Sequence, residues 1–361
     1  MKGTDESSKQ GANLLTPELI RSFPKVELHR HLEGSFPVRS LFEIAHKNGL
    51  DMPSDYDAFK EQVQFPKDSE PDFLKFLSKF KNTWYRSFDD VYRIAYDSVK
   101  EFANDGLYYI ELRFSPEHFA FHNNFDRNKI TKLVIQAGND AAAEIDLKIK
   151  YLITFNRSKQ DQNEMSALYE EIKRLNLPDI VGMDLAGDEI NFPPELFTEF
   201  FSKVNSDGVY KSTIHAGEVS ASDQIWKAVK LLGASRIGHG TSCVDDEELK
   251  AYLTEHQVVL EQCITSNYQT GSWVDEKNHP LGRLYREGVP VSINSDDPFI
   301  QDTDLTDDYV KTVRYFGFTI DDLIALNLTA LRSVFLSDSE KQNLIDEYTR
   351  RVAAFRKKYG I

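Results

Sequence analysis

Four of the nine histidines in this 361-residue chain fall at the ends of short apolar runs, and two adjacent aspartates end another such run. The first run leads into His29-Arg30-His31. Residues two apart on a strand point to the same side, so His29 and His31 can share one metal ion. A second run ends in His215, followed by Ala216-Gly217-Glu218. A third ends in Gly238-His239-Gly240, and a fourth in Asn294-Ser295-Asp296-Asp297-Pro298. Imidazoles with one carboxylate make a nitrogen-and-oxygen donor set suited to Zn²⁺. Three His and one Asp leave room for a water on the metal, which loses a proton near neutral pH and becomes a nucleophile. A further Glu and a further His beside it can serve as acid and base. Each piece alone is weak, since Asp-Asp-Pro is also a common helix-capping turn. Their joint placement at the ends of four strands points to a site.

The elements that must hold these residues recur along the chain. Strand-like runs are Lys25–Arg30, Leu107–Phe114, Lys148–Phe155, Ile180–Asp184, Lys211–His215, Arg236–His239, Val258–Cys263 and Val289–Ile293. From the second onward they recur at intervals suited to one strand-plus-helix unit of about 30 residues. Between them lie stretches with apolar residues at three- and four-residue spacing, such as Phe88–Asn104 and Gln224–Leu232. Eight strands alternating with helices predict a (β/α)₈ TIM barrel, with a doubly wound open sheet as the runner-up. Catalytic groups of such a barrel sit at strand C-termini, where these His and Asp residues fall.

One interval is too long. The first run starts at residue 25 and the second at 107, so extra helices are expected after strand 1. The spacing predicts one over Asp72–Lys81, with Phe73, Phe76, Leu77 and Phe80 on one face. That face suits an ordinary core helix. An insertion after a barrel strand also emerges at the active-site end, where it would serve as an apolar lid.

Composition narrows the function. Lys and Arg number 43 against 58 Asp and Glu, a net charge of −15. Nucleic-acid binders and proteins held on anionic lipid need clustered positive charge, so neither is expected as a partner. No run of about 18 apolar residues suggests a transmembrane helix. Two cysteines, Cys243 and Cys263, rule out a disulfide framework or a four-Cys zinc module. Residues 1–15 are expected to be a disordered leader, residues 16–361 a single domain, and the location cytoplasmic. No obligate protein partner is inferred.

Several metal and cofactor sites fail on residues. A cytidine-deaminase zinc site needs C-x-x-C, which is absent beside His31-Leu32-Glu33. No H-E-x-x-H occurs, and no third glycine completes a dinucleotide motif after Gly238-His239-Gly240. Strand 4 ends in Met183-Asp184-Leu185, without a lysine to bridge two metals, so one metal per chain is expected. His46, His118, His122, His256 and His279 are read as incidental, with a place flanking the pocket as the alternative for His118 and His122, four apart after strand 2. Cys263 is read as a cavity-lining residue with no nucleophilic role.

The segments PKVELHRHLEGS (24–35), YIELRFSP (109–116), MDLAGDE (183–189), IHAGE (214–218), RIGHG (236–240), TSNYQTGSW (265–273) and SINSDDP (292–298) together resemble the adenosine deaminase family. They occur in that family's order. MDLAGDE and TSN-x-QT favour adenosine deaminases over their adenine-deaminase relatives. The resemblance implies hydrolysis of adenosine and 2′-deoxyadenosine to inosine, deoxyinosine and ammonia, in purine salvage. It implies that His29, His31, His215 and Asp296 hold one zinc ion. Glu218 would donate a proton to purine N1. His239 would orient the metal's water, accept its proton or stabilise developing charge. Asp297 would bond N7, the Gly187 N–H would reach N3, and Glu33 would contact the ribose 5′-hydroxyl, with His31 beside it. Many members carry Asp where this chain has Glu33. Phe73, Phe76, Leu77 and Phe80 match the family's apolar lid. An adenine deaminase of the same architecture and a non-catalytic nucleoside-binding barrel are the alternatives.

Overall fold

The computed structural model describes residues 15–66 and 69–361. The expected leader lies outside the described residues apart from Leu15, which packs against the core. Eight parallel strands form one sheet in chain order. They are β1 (Lys25–His31), β2 (Leu107–Phe114), β3 (Lys148–Asn156), β4 (Ile180–Ala186), β5 (Lys211–Ala216), β6 (Arg236–His239), β7 (Val259–Gln262) and β8 (Val291–Ile293). The ring closes just beyond β8. His31 N–H donates to the Asp296 carbonyl at 2.9 Å, and Asp296 N–H donates to the His29 carbonyl at 3.0 Å. This bridge between Arg30 and Asp296 makes the sheet a (β/α)₈ barrel and excludes the open doubly wound sheet.

The strands match the expected runs with shifts at their ends. β8 starts at Val291, because Pro290 has no N–H to give to a ladder; its carbonyl still accepts from Leu260 N–H at 3.0 Å. β7 stops at Gln262, and Cys263 turns the chain into the helix Ile264–Gln269. The barrel interior is not wholly apolar. Glu111 and Arg113 lie two apart on β2 and so share a face, and Arg113 reaches Asp184 on β4 and Glu261 on β7. Contacts spanning non-adjacent strands can pass only through the barrel's inside. Arg236 there bridges Glu111 and Glu261, each at 2.7 Å. Such charges are retained in a dry interior only when each has partners.

The long first interval holds helices Val38–Lys47, Tyr56–Val63, Phe73–Leu77 and Phe88–Glu101. The third is half the expected length. The Asp72 carboxylate caps it by accepting Lys75 N–H at 2.9 Å, so it begins after Asp72. Past Ser78 the bonds tighten: Lys79 N–H reaches Phe76 O at 3.0 Å and Phe80 N–H reaches Leu77 O at 3.2 Å, three residues back in each case. The α-helix therefore does not continue to Lys81. Phe76 is buried with Phe65 and Ile300 in a small cluster separate from the main core, with Leu77 and Phe80 packed on it. Phe73 is half-buried and outside that cluster. Phe65 N–H bonds Ile300 O at 2.7 Å and Asp72 N–H bonds Gln269 O at 3.0 Å. These bonds dock the segment on the loop that follows β8 and on the end of the helix that follows β7.

Candidate active site

Four donor atoms converge where β1, β5 and the β8 end meet. One ligand atom each from His29, His31, His215 and Asp296 lies within 4.8 Å of the others. Asp296 Oδ1 is 3.1 Å from His29 Nε2 and 3.5 Å from His31 Nε2. The Nε2 atoms of His31 and His215 are 3.2 Å apart. His29 Nε2 and Asp296 Oδ1 are buried and have no hydrogen-bond partner among the described residues. Buried polar atoms are normally paired, so two that converge without a bond fit a shared cation. Three imidazoles and one carboxylate suit zinc. Burial holds His31 well below, and His215 below, the ordinary pKa, whereas at His29 burial and Arg113 are outweighed by the Asp296 and Glu261 carboxylates, which raise it.

The far sides of the His29 and His215 rings are held in turn. His29 Nδ1 lies 2.8 Å from Glu261 Oε2, and His215 Nδ1 lies 3.1 Å from Asp184 Oδ1. Each carboxylate accepts a hydrogen bond from Nδ1–H, which leaves Nε2 unprotonated and facing the site. Arg113 donates to both carboxylates, at 3.0 Å to Asp184 and 2.7 Å to Glu261. Against the cost of burial, Arg113 keeps both well below the ordinary carboxylate range. The other oxygen of Asp296, Oδ2, accepts from Ser266 Oγ at 2.7 Å.

The acid and base candidates border this cluster. His239 Nε2 is 3.5 Å from Glu218 Oε2 and 3.9 Å from Asp296 Oδ2. Burial pushes the Glu218 carboxyl well above its ordinary pKa, and the charges of Asp296 and Glu189 push it further. Glu189 shapes the loop that presents Glu218. Its carboxylate accepts Gly217, Val219 and Ser220 N–H at 2.8, 2.6 and 3.0 Å. Burial, with Asp296 and Glu33 nearby, likewise holds Asp297 protonated well above the usual range. His239 and Asp296 both take left-handed backbone angles, φ 58° and 66°. Such strain in residues other than glycine is held by surrounding structure and gathers at working sites.

Glu33 Oε1 accepts Ser115 N–H at 2.6 Å, and burial raises its carboxyl to about 7. Gly187 follows β4 at φ 105°, where a side chain would be strained, and an added Cβ would meet Asn156 Oδ1 at 3.0 Å. At Gly34 an added Cβ would fall 1.8 Å from Asp297 Oδ1, so only glycine lets Asp297 lie there. Cys263 is buried and near enough to His29, His239 and Asp296 to form a second potential donor group with them. The structure thus brings together His29, His31, His215, His239, Glu218, Asp296 and Asp297. Sequence reasoning assigned nothing to Arg113, Asp184, Glu189, Glu261, Ser266 or Asn267. For Arg113 and Glu261 a signal exists: a charge inside an apolar strand buried on both faces needs a partner.

The adenosine deaminase family model matches residues 24–351. An adenosine deaminase from Yersinia pseudotuberculosis is 34% identical over 331 residues, covering 90% of this chain and 97% of that protein. One from Klebsiella pneumoniae is 32% identical over 337 residues, covering 91% and 98%. Two solved structures share the fold. An adenine deaminase from Arthrobacter aurescens aligns with TM-score 0.82 at 24% identity, covering 91% of this chain and 99% of its own. A zinc-bound amidohydrolase from Burkholderia ambifaria aligns with TM-score 0.86 at 22% identity, covering 100% and 96%. A match that runs from the first strand to the last helix, at one-third identity, takes in the whole barrel together with its converging donors: the chain belongs to the adenosine deaminase family.

Proposed function

We propose that this chain hydrolyses the C6–N bond of adenosine and 2′-deoxyadenosine, using one zinc ion held by His29, His31, His215 and Asp296. Inosine or deoxyinosine and ammonia are the products, a step of purine salvage, which we assign to the cytoplasm. The observation that carries this reading is the convergence of those four donor atoms beside a Glu218 carboxyl that burial keeps protonated. Bound there, zinc would acidify a water molecule and so supply a nucleophile at neutral pH.

The chain's own residues do the rest. Attack at C6 loads electron density onto N1, and a protonated Glu218 stabilises that density as it develops, which lowers the barrier. Asp297 must carry a proton to bond N7, because an ionised carboxylate and N7 are both acceptors. Its raised pKa fits that need. The Gly187 N–H reaches N3. Glu33 meets the ribose 5′-hydroxyl, and a phosphate in its place would bring negative charge against a buried carboxyl. Phe76, Leu77 and Phe80, with Phe73 at the edge, form the lid that excludes water.

A panel of adenosine, 2′-deoxyadenosine, adenine and AMP, followed by ammonia release with and without a chelator, tests the reading. Turnover of the two nucleosides, lost on chelation and restored by zinc, is expected. Preference for adenine, or activity indifferent to metal removal, would overturn it.

A further inference from the structure

We propose that Asn267 and His279 are positioning residues that keep the proton of neutral His239 on Nε2, so that His239 donates a hydrogen bond into the site and does not accept a proton there. The inference rests on the reading above, in which His239 works beside the reacting atoms.

The argument starts from a backbone group whose polarity is certain. His279 precedes the helix Pro280–Arg286, and its Nδ1 accepts Leu281 N–H at 3.2 Å, capping that helix. An amide N–H can only donate, so Nδ1 of His279 carries no proton. Burial lowers the His279 pKa to about 3, so the ring stays neutral and its single proton sits on Nε2. Nε2 lies 3.0 Å from Asn267 Oδ1 and donates to it. The Asn267 amide cannot be turned round, because its NH₂ would then face a nitrogen that already carries a proton. Nδ2 of Asn267 therefore points the other way and donates to His239 Nδ1 at 3.1 Å.

One consequence follows for His239. A ring that accepts at Nδ1 holds its proton on Nε2, the nitrogen 3.5 Å from Glu218 Oε2 and 3.9 Å from Asp296 Oδ2. The opposite tautomer would set two buried donors against each other, His239 Nδ1–H against Asn267 Nδ2–H, a loss that native interiors avoid. Of the tasks open to this histidine, the chain of bonds leaves orientation and charge stabilisation through an N–H donor. Acceptance of a proton at Nε2 is closed. The hydrogen bonds that link Leu281, His279, Asn267 and His239 run to none of the four metal donors, although the His239 ring itself packs on His29, 4.8 Å between ring centres.

Nitrogen NMR on zinc-loaded protein labelled at histidine tests this directly, with the His239 signals identified by their loss in His239→Ala. The expected native spectrum has a proton on Nε2 and none on Nδ1. A native His239 carrying its proton on Nδ1 would overturn the proposal. Asn267→Asp replaces the donor with a carboxylate of the same shape and should move the proton to Nδ1, with metal content unchanged and kcat down by about 100-fold or more. An unchanged tautomer in that variant would also overturn it. His279→Ala frees the amide to turn and should cost about 10-fold or more in kcat, while His279→Gln, which can still donate to Asn267 Oδ1, should restore most of it. Equal losses in both would assign His279 a packing role and reject its part in the relay. The tautomer is read without turnover, so inactivity on adenosine would count against the proposed reaction and leave this inference to the spectrum.

Discussion

Asp184 Oδ1 lies 3.1 Å from His215 Nδ1, and this pair decides which nitrogen of the His215 ring faces the other donors. The same Asp184 oxygen takes a hydrogen bond from Arg113 at 3.0 Å, while Thr154 Oγ1 donates to its other oxygen at 2.9 Å. A carboxylate so held has little freedom to turn, and neither has the ring it fixes.

Asp184→Asn should therefore weaken zinc binding by about 10–100-fold, the range for residues that orient a ligand from behind. His215→Ala, which removes the ligand itself, should lose the metal. Competition against a chelator of known affinity gives the first number, and metal analysis of purified protein gives the second. Full occupancy of His215→Ala would reject the donor set.

Glu218→Gln keeps the size of the side chain and removes its acid. Zinc content should be unchanged and kcat should fall by roughly 10²–10⁴-fold, the usual contribution of a positioned general acid. Near-normal ammonia release from a fully loaded variant would remove Glu218 from the role of proton donor.

Glu33→Ala should impair adenosine more than adenine, since only the nucleoside presents a 5′-hydroxyl. The relevant quantity is the ratio of kcat/KM for the two substrates. Equal losses would show that Glu33 acts by holding the Ser115 backbone, to which it bonds at 2.6 Å, and does not read the sugar.

The buried Asp308 carboxyl gives a pH prediction away from the metal site. Burial pushes it up to about 7, and it accepts Thr265 N–H and the Thr265 hydroxyl at 3.1 and 2.6 Å. In the unfolded chain it titrates near its ordinary value of about 3.9. A carboxyl whose folded pKa is raised holds its proton more tightly when folded. Its contribution is complete below about pH 4 and is lost as pH rises through about 7. At 1.36 kcal/mol per pH unit the span is at most about 4 kcal/mol. Asp308→Asn should flatten that part of the stability curve, measured as the denaturant midpoint between pH 4 and 8. A slope unchanged from the native chain would show that Asp308 is not the source.

Much of this was legible in the residues. Alternation of apolar runs and helical spacing located all eight strands, because a parallel barrel strand is buried on both faces and is largely apolar along its length. The His and Asp residues at strand ends were visible for the same reason: they stand where those runs stop. The groups behind them were harder to see. A charge such as Glu261 inside an apolar run signals that a partner exists, but that Arg113 from another strand joins it to Asp184 is a pairing no local pattern encodes. His279 looked incidental because its two bonds run to a backbone N–H and to Asn267, which lies 12 positions earlier. The helix over Asp72–Lys81 was overextended because apolar spacing reports which face is buried and does not show where i→i+4 bonding gives way to tighter turns.

The bridge that closes the barrel also orders events in time. His29 and His31 belong to the first strand made, whereas Asp296 follows the last. A growing chain holds the first pair of donors long before the fourth exists, and the four meet only when the seam between Arg30 and Asp296 shuts. With the proposed donor set, capture of an ion at full strength would be reserved for the finished ring, and an ion taken up early by the first two histidines alone would be held by half a grip.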